Sequence, residues 1–170
     1  MEFLVLSDSH GNPERLTDIY KRQIKKPDGI FFLGDGLRDL ELCDFSDTPV
    51  YCVRGNCDFF SFDIDREAKD ERIEEVCGYK VMLTHGHLYG VKHSLGKILH
   101  SAAQKGADIL LFGHTHIPYE HVYTPERGEI AGLQKTLYVM NPGAVGGYVC
   151  SFGCIGISDG GQILLSHGAL

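Results

Sequence analysis

The feature that most constrains this chain is a repeat: five times in the first 116 residues an apolar run of strand length stops at a short polar loop. The runs cover residues 2–6, 30–33, 50–53, 80–83 and 109–112, and the loops that follow cover 7–12, 34–36, 54–58, 84–87 and 113–116. The segments between several of them have helical character. A polar helix is predicted from Pro13 to about Lys26, with Asn12 as N-cap and Pro13 in the first turn. A short helix is predicted from 37 to 42, and an amphipathic one from Ser94 to Lys105, ended by Gly106. Strands joined through helices form βαβ units, whose loops at the carboxyl ends of the strands converge on one rim of an open sheet.

Beyond Pro118 the character changes to short strands separated by turn residues, predicted at 119–123, 128–133, 137–140, 149–157 and 162–166. The acidic and basic stretch from Phe59 to about Glu75 reads as a loop and an exposed edge strand. The order of elements fits an α/β fold: a mixed sheet, or two sheets packed face to face, with helices outside. At 170 residues the chain is expected to form one domain, residues 1–170, with a core large enough to need no cofactor for stability.

A formal net charge of −7 argues against a broad basic surface, so neither stable nucleic-acid binding nor membrane association is expected. Glu2 stands where a signal peptide would carry Lys or Arg, and the first apolar run is too short for a membrane span, so a cytoplasmic location is expected. The six cysteines (Cys43, Cys52, Cys57, Cys77, Cys150, Cys154) form no paired zinc-binding frame, and most are expected to be plain buried thiols.

Chemistry concentrates in the five loops. Five of the nine histidines (His10, His85, His87, His114, His116) lie in three of them, and the other two supply Asp35, Asn56 and Asp58. Imidazoles mixed with carboxylates suit borderline divalent ions rather than Ca²⁺, which prefers oxygen alone. Two ions need a bridging carboxylate. Asp35, between two glycines that permit close backbone approach, is the natural candidate. Taken singly, each motif is more simply a turn or a surface histidine. Their joint occurrence, in order and each directly after an apolar run, is what the simpler readings do not explain.

Asp8-x-His10, Gly34-Asp35, Gly55-Asn56, His85 and Gly113-His114-x-His116 together resemble, in order, the motifs of calcineurin-like metallophosphoesterases. Gly-Asn-Cys-Asp at 55–58, Thr-His-Gly-His at 84–87 and Asn141-Pro142-Gly143 are similar to the compact bacterial and archaeal phosphodiesterases of that superfamily. The resemblance implies a four-layer α/β/β/α sandwich. It also implies two divalent metal ions per chain, Mn²⁺ expected first, with Ni²⁺, Co²⁺, Fe²⁺ or Zn²⁺ as alternatives. By the same resemblance Asp8, His10, Asp35 and His116 hold one ion, and Asp35, Asn56, His85 and His114 the other. Two ions about 3.5–4 Å apart would lower the pKa of a shared water and aim it in line at phosphorus.

The chain departs from the wider family at Cys57, where most members carry a histidine that assists the transition state. A neutral thiol is a poor donor and carries no positive charge. Asn56, Cys57, Asp58 and His87 are therefore the candidates for catalytic roles, with His87 either a substitute proton donor or a support for its neighbours. Arg54 and Lys92 are the only cations expected near the site. That favours a small diester over a monoester as the substrate, and self-association into a homo-oligomer is left open. The rival reading is a scaffold of the same fold that docks protein partners, as the retromer subunit of eukaryotes does.

Overall fold

The structure, a computed structural model, describes residues 1–58 and 68–170. The loop expected to begin at Phe59 falls mostly outside them. In chain order the elements are β1 (Glu2–Leu6), α1 (Pro13–Lys21), β2 (Gly29–Phe32), α2 (Leu37–Glu41), β3 (Val50–Cys52), β4 (Glu71–Val76), β5 (Tyr79–Thr84), α3 (Gly96–Gln104), β6 (Ile109–Phe112), β7 (Tyr119–Tyr123), β8 (Leu137–Asn141), β9 (Ser151–Ile157) and β10 (Ile163–Ala169). They make two five-stranded mixed sheets, ordered β10-β9-β1-β2-β3 and β4-β5-β6-β8-β7. Strands β1, β2 and β3 run parallel, as do β5, β6 and β8. The remaining strands pair antiparallel at the flanks.

The apolar runs are continuous because both faces of the inner strands are covered. Phe3 and Val5 of β1 and Phe31 of β2 meet Val81, Leu83, Ile109 and Leu111 of the other sheet in a central layer. Their sequence neighbours Leu4, Leu6, Ile30 and Phe32 face the opposite way and pack on Leu16, Ile19, Leu37 and Leu40 of α1 and α2. Met82, Leu110, Leu137 and Val139 of the second sheet cover Ile98, Leu99 and Ala102 of α3. The result is the expected α/β/β/α order of layers, with each buried Leu or Phe contributing about 1.5–3 kcal/mol. The charged strand β4 lies at a sheet edge, as predicted, where Glu and Arg side chains discourage pairing with another chain.

Three local expectations need correction. Helix α1 stops at Lys21 rather than Lys26: the next apolar residue past Tyr20, Ile24, is fully exposed, and the Gln23 side-chain amide closes the end by donating to the Ile19 carbonyl, 2.7 Å. Asn12 occupies the N-cap position of α1, but its side chain makes no capping hydrogen bond. Its Nδ2 instead donates back to the carbonyls of Ser9 and His10, folding the first polar loop on itself. Residues 128–133 form no strand, since Gly128 and Gly132 adopt left-handed φ values of 65° and 78° that break any ladder. Ile130 and Leu133 are nonetheless buried against the α3 layer. Of the six cysteines only Cys150 is fully buried; Cys43, Cys52 and Cys154 are half-buried, and Cys57 and Cys77 are exposed. Among the described residues no helix is long and apolar enough to cross a membrane.

Candidate metal centre

The five loops meet where the carboxyl ends of β1, β2, β3, β5 and β6 come together. Two glycines make the approach possible. A Cβ on Gly55 would lie 2.2 Å from Asp35 Oδ1, and one on Gly113 would lie 2.0 Å from Ser7 Oγ. Neither position tolerates a side chain without moving a neighbouring loop.

Six of the seven expected ligands fall into two groups there, and Asn56 lies in the adjoining loop beside Cys57. Asp8 Oδ1, buried, faces His116 Nε2 at 3.0 Å and His10 Nε2 at 3.6 Å, and the two imidazole nitrogens are 3.2 Å apart. On the other side Asp35 Oδ2 faces His85 Nε2 at 3.3 Å, which in turn lies 3.2 Å from His114 Nδ1. His10 Nε2 is 3.9 Å from Asp35 Oδ2, so Asp35 stands between the two halves. Cys57 Sγ joins His10 and Asp35 in a third cluster of donor atoms within 4.8 Å of one another, a placement the sequence reading did not foresee.

The donor set fits cations. Asp8 Oδ1 and Asn56 Oδ1 are buried and have no hydrogen-bond partner, an arrangement that costs about 1–3 kcal/mol per group unless something positive is supplied. The second oxygen of each carboxylate is already engaged. Asp8 Oδ2 accepts from Ser7 Oγ and the His114 amide, and Asp35 Oδ1 accepts from the Cys57 amide at 2.7 Å. The tautomer of His85 is set from behind: its Nδ1 donates to the Leu33 carbonyl at 2.7 Å, which leaves the Nε2 lone pair for the cluster.

Backbone strain marks the same residues. Asp8, His10, Asp35, His114 and His116 all have φ between 46° and 67°, a region that L residues with a Cβ rarely enter. His116 is the most accessible test. In metal-free protein His116→Gly is expected to be more stable than His116→Ala by about 1 kcal/mol, because only glycine adopts this φ without penalty. Urea unfolding of the two variants measures it, and equal midpoints would show that the turn is unstrained.

Charge is tightly coupled here. Burial works to raise the Asp35 carboxyl, but the His85 imidazole and the Cys57 amide outweigh it and hold it well below the usual carboxylate range. Burial lowers His85, yet Asp35 and Asp8 keep it above its ordinary value. For His114, burial and the charges of His85 and Lys92 act together and take it down to about 4. Burial and the carboxylates of Asp35, Asp58 and Asp8 push the Cys57 thiol up to about 11.

Asp58, which in the resembling family orients the histidine absent here, has a different set of partners. Its carboxylate accepts from four backbone amides: Oδ2 from Asp35 (2.8 Å) and Gly55 (2.8 Å), Oδ1 from Gly36 (2.8 Å) and Leu37 (3.0 Å). It ties the loop after β2 to the loop after β3. His87 lies beside the ligands, its ring 5.4 Å from that of His85 and 6.1 Å from that of His114, with a buried Nδ1 that has no partner. Burial, then the charge of His85, lowers its pKa. Arg54 does not point freely at the site. It pairs with Asp70 at 3.0 Å.

Other supports were not legible as functional. Asp39 accepts from Ser9 Oγ and the Gly11 amide and so holds the first loop; its only signal is an acid in a short helix. Asn141 donates to the Gly113 carbonyl and to Thr115 Oγ1, which fixes the turn carrying His114 and His116 and accounts for Asn141 in the Asn-Pro-Gly motif.

Two facing sheets with a carboxylate-imidazole cluster at their shared rim define a metal-dependent phosphoesterase of the calcineurin type. Residues 1–159 match the calcineurin-like phosphoesterase superfamily domain, and the chain belongs to that superfamily. It is 35% identical over 145 residues, 85% of this chain and 75% of the relative, to a probable metallophosphoesterase, YsnB, of Bacillus subtilis strain 168. Over 116 residues, 62% of this chain and 52% of the relative, it is 32% identical to the phosphodiesterase YfcE of Escherichia coli K12. In fold it is similar to the crystal structure of wild-type Vps29 complexed with zinc from Entamoeba histolytica, with a TM-score of 0.71, 20% identity and 99% of each chain covered.

Proposed function

We propose that this metallophosphoesterase is a dinuclear phosphodiesterase whose two divalent ions, Mn²⁺ first among the candidates, share Asp35. The observation that carries the reading is the position of Asp35 Oδ2, between His10 Nε2 of one donor group and His85 Nε2 of the other. Asp8, His10 and His116 would hold one ion with Asp35. His85, His114 and Asn56 would complete the second. Bound there, two such ions supply Lewis acidity and an activated water for in-line displacement at phosphorus.

The chain's own contribution is preorganisation. Asp8 Oδ1, Asn56 Oδ1 and His85 Nε2 are fixed by the partners of their other atoms, so little rearranges when a cation arrives. The relative named a phosphodiesterase supports diesters over monoesters. So does the pairing of Arg54 with Asp70, since an occupied guanidinium leaves less positive charge for a doubly charged monoester.

Metal analysis and an activity screen test this together. Protein loaded with Mn²⁺ is expected to carry two ions per chain and to hydrolyse bis(para-nitrophenyl) phosphate faster than para-nitrophenyl phosphate. A saturating load of one ion, or none, would refute the dinuclear centre. The rival reading raised from the sequence, a protein-docking scaffold of the same fold, would be favoured by metal-loaded protein inert toward both esters.

A further inference from the structure

We propose that a cavity of about 310 Å³ beside the metal centre, walled by Val91, Leu95, Phe112, Ile117 and Tyr119, seats an aromatic substituent of the phosphoester. This rests on the phosphoesterase reading and narrows it to substrates that carry an aromatic group near phosphorus.

The cavity adjoins two of the five loops that carry the candidate ligands. Phe112 ends β6 directly before the turn with His114 and His116, and Ile117 follows that turn. Val91 packs behind the other loop: a Cβ on Gly86, between His85 and His87, would lie 3.0 Å from its Cγ2. A ring held in the cavity is therefore joined to a phosphoryl group at the ligands across the width of a single turn.

The lining selects by chemistry. Thr115 and Lys92 are the only residues of the lining that are not apolar or aromatic. Thr115 Oγ1 is already occupied, accepting from Asn141 Nδ2 and the Ile117 amide. Lys92 lines the cavity but is exposed, so its charge stays in water. What remains is an apolar slot with two aromatic walls, the rings of Phe112 and Tyr119 having centroids 6.3 Å apart. Rings in such surroundings gain from stacking and edge contacts as well as from burial. The volume lies at the small end of the range for small-molecule sites. Ile117, 67% exposed at the mouth, is an apolar side chain left in water until a ring covers it.

The test compares phenylphosphonate with methylphosphonate on the metal-loaded full chain, by calorimetry and by the methyl NMR signals of Val91, Leu95 and Ile117. Both ligands carry the same phosphonate. Only phenylphosphonate can fill the cavity, so it is expected to bind at least about 10-fold tighter and to shift those methyl signals. The preference should disappear in Val91→Phe, which fills the slot, and in Ile117→Asp, whose exposed position makes folding safe. Equal affinity of the two ligands in the parent, or a preference that survives both substitutions, would overturn the proposal. So would methyl shifts that track protein concentration instead of ligand, because the slot would then be a contact between copies of the chain. Failure of the phosphoesterase reading is distinct: metal analysis would show empty ligands, and methylphosphonate itself would not bind.

Discussion

Asp35→Asn is expected to lower phosphodiester turnover by more than about 100-fold, beyond the 10–100-fold typical of residues that merely support a metal ligand. One oxygen of Asp35 accepts the Cys57 amide and the other faces His85 Nε2 at 3.3 Å. An asparagine can satisfy only one of these. If its oxygen keeps the amide, its NH₂ points at the imidazoles and at any cation they hold. If it turns over, two N–H groups confront each other at Cys57. Either way a negative charge shared by both halves of the centre is gone, and both ions should bind less tightly. Metal content and kcat measured on the same preparation check this. Asp47→Asn, exposed before the amino-terminal end of β3, is the control and should change neither. A variant at Asp35 that kept both ions and turned over within a few-fold of the parent would show that no bridge exists.

How much of this could be read from sequence divides along physical lines. Inner strands β1, β2, β5 and β6 were legible because burial on both faces demands unbroken apolar runs, and β6 was placed to the residue. Positions 128–133 misled because Ile130, Ala131 and Leu133 make a short apolar stretch between turn residues, and only tertiary packing decides that two left-handed glycines turn the chain while Ile130 and Leu133 still reach the core. The candidate ligands stood out because five successive loops after strands carry histidine, aspartate or asparagine together, although each motif by itself is an ordinary turn. Their supports did not. Asp39 looks like any helical acid, and the carbonyl of Leu33, which orients His85, has no side-chain signature at all. Nor could sequence show that ligand after ligand adopts left-handed φ, since aspartate and histidine are ordinary residues in ordinary turns as well.

Asp58→Asn is expected to produce the largest loss of stability, about 2–6 kcal/mol, from two buried amides left without an acceptor at about 1–3 kcal/mol each. Each carboxylate oxygen of Asp58 accepts two amides, Asp35 and Gly55 on one side, Gly36 and Leu37 on the other. An asparagine has one acceptor oxygen. Whichever way it sits, its NH₂ faces two N–H donors, and the loops after β2 and β3 are pushed apart at the point where Gly55 and Asp35 are in closest contact. A loss of that size is a large part of the 5–15 kcal/mol that ordinarily holds a domain folded. The measurement is urea unfolding of metal-free protein, because a residue that acted only through metal or through proton transfer would leave the metal-free midpoint unchanged. Asp58→Glu separates geometry from charge: it keeps the carboxylate but displaces it by one methylene, so it should recover only part of the loss. If Asp58→Asn instead unfolds at the parent's midpoint and loses turnover alone, Asp58 is acting on the reaction, and the four amides must find another partner.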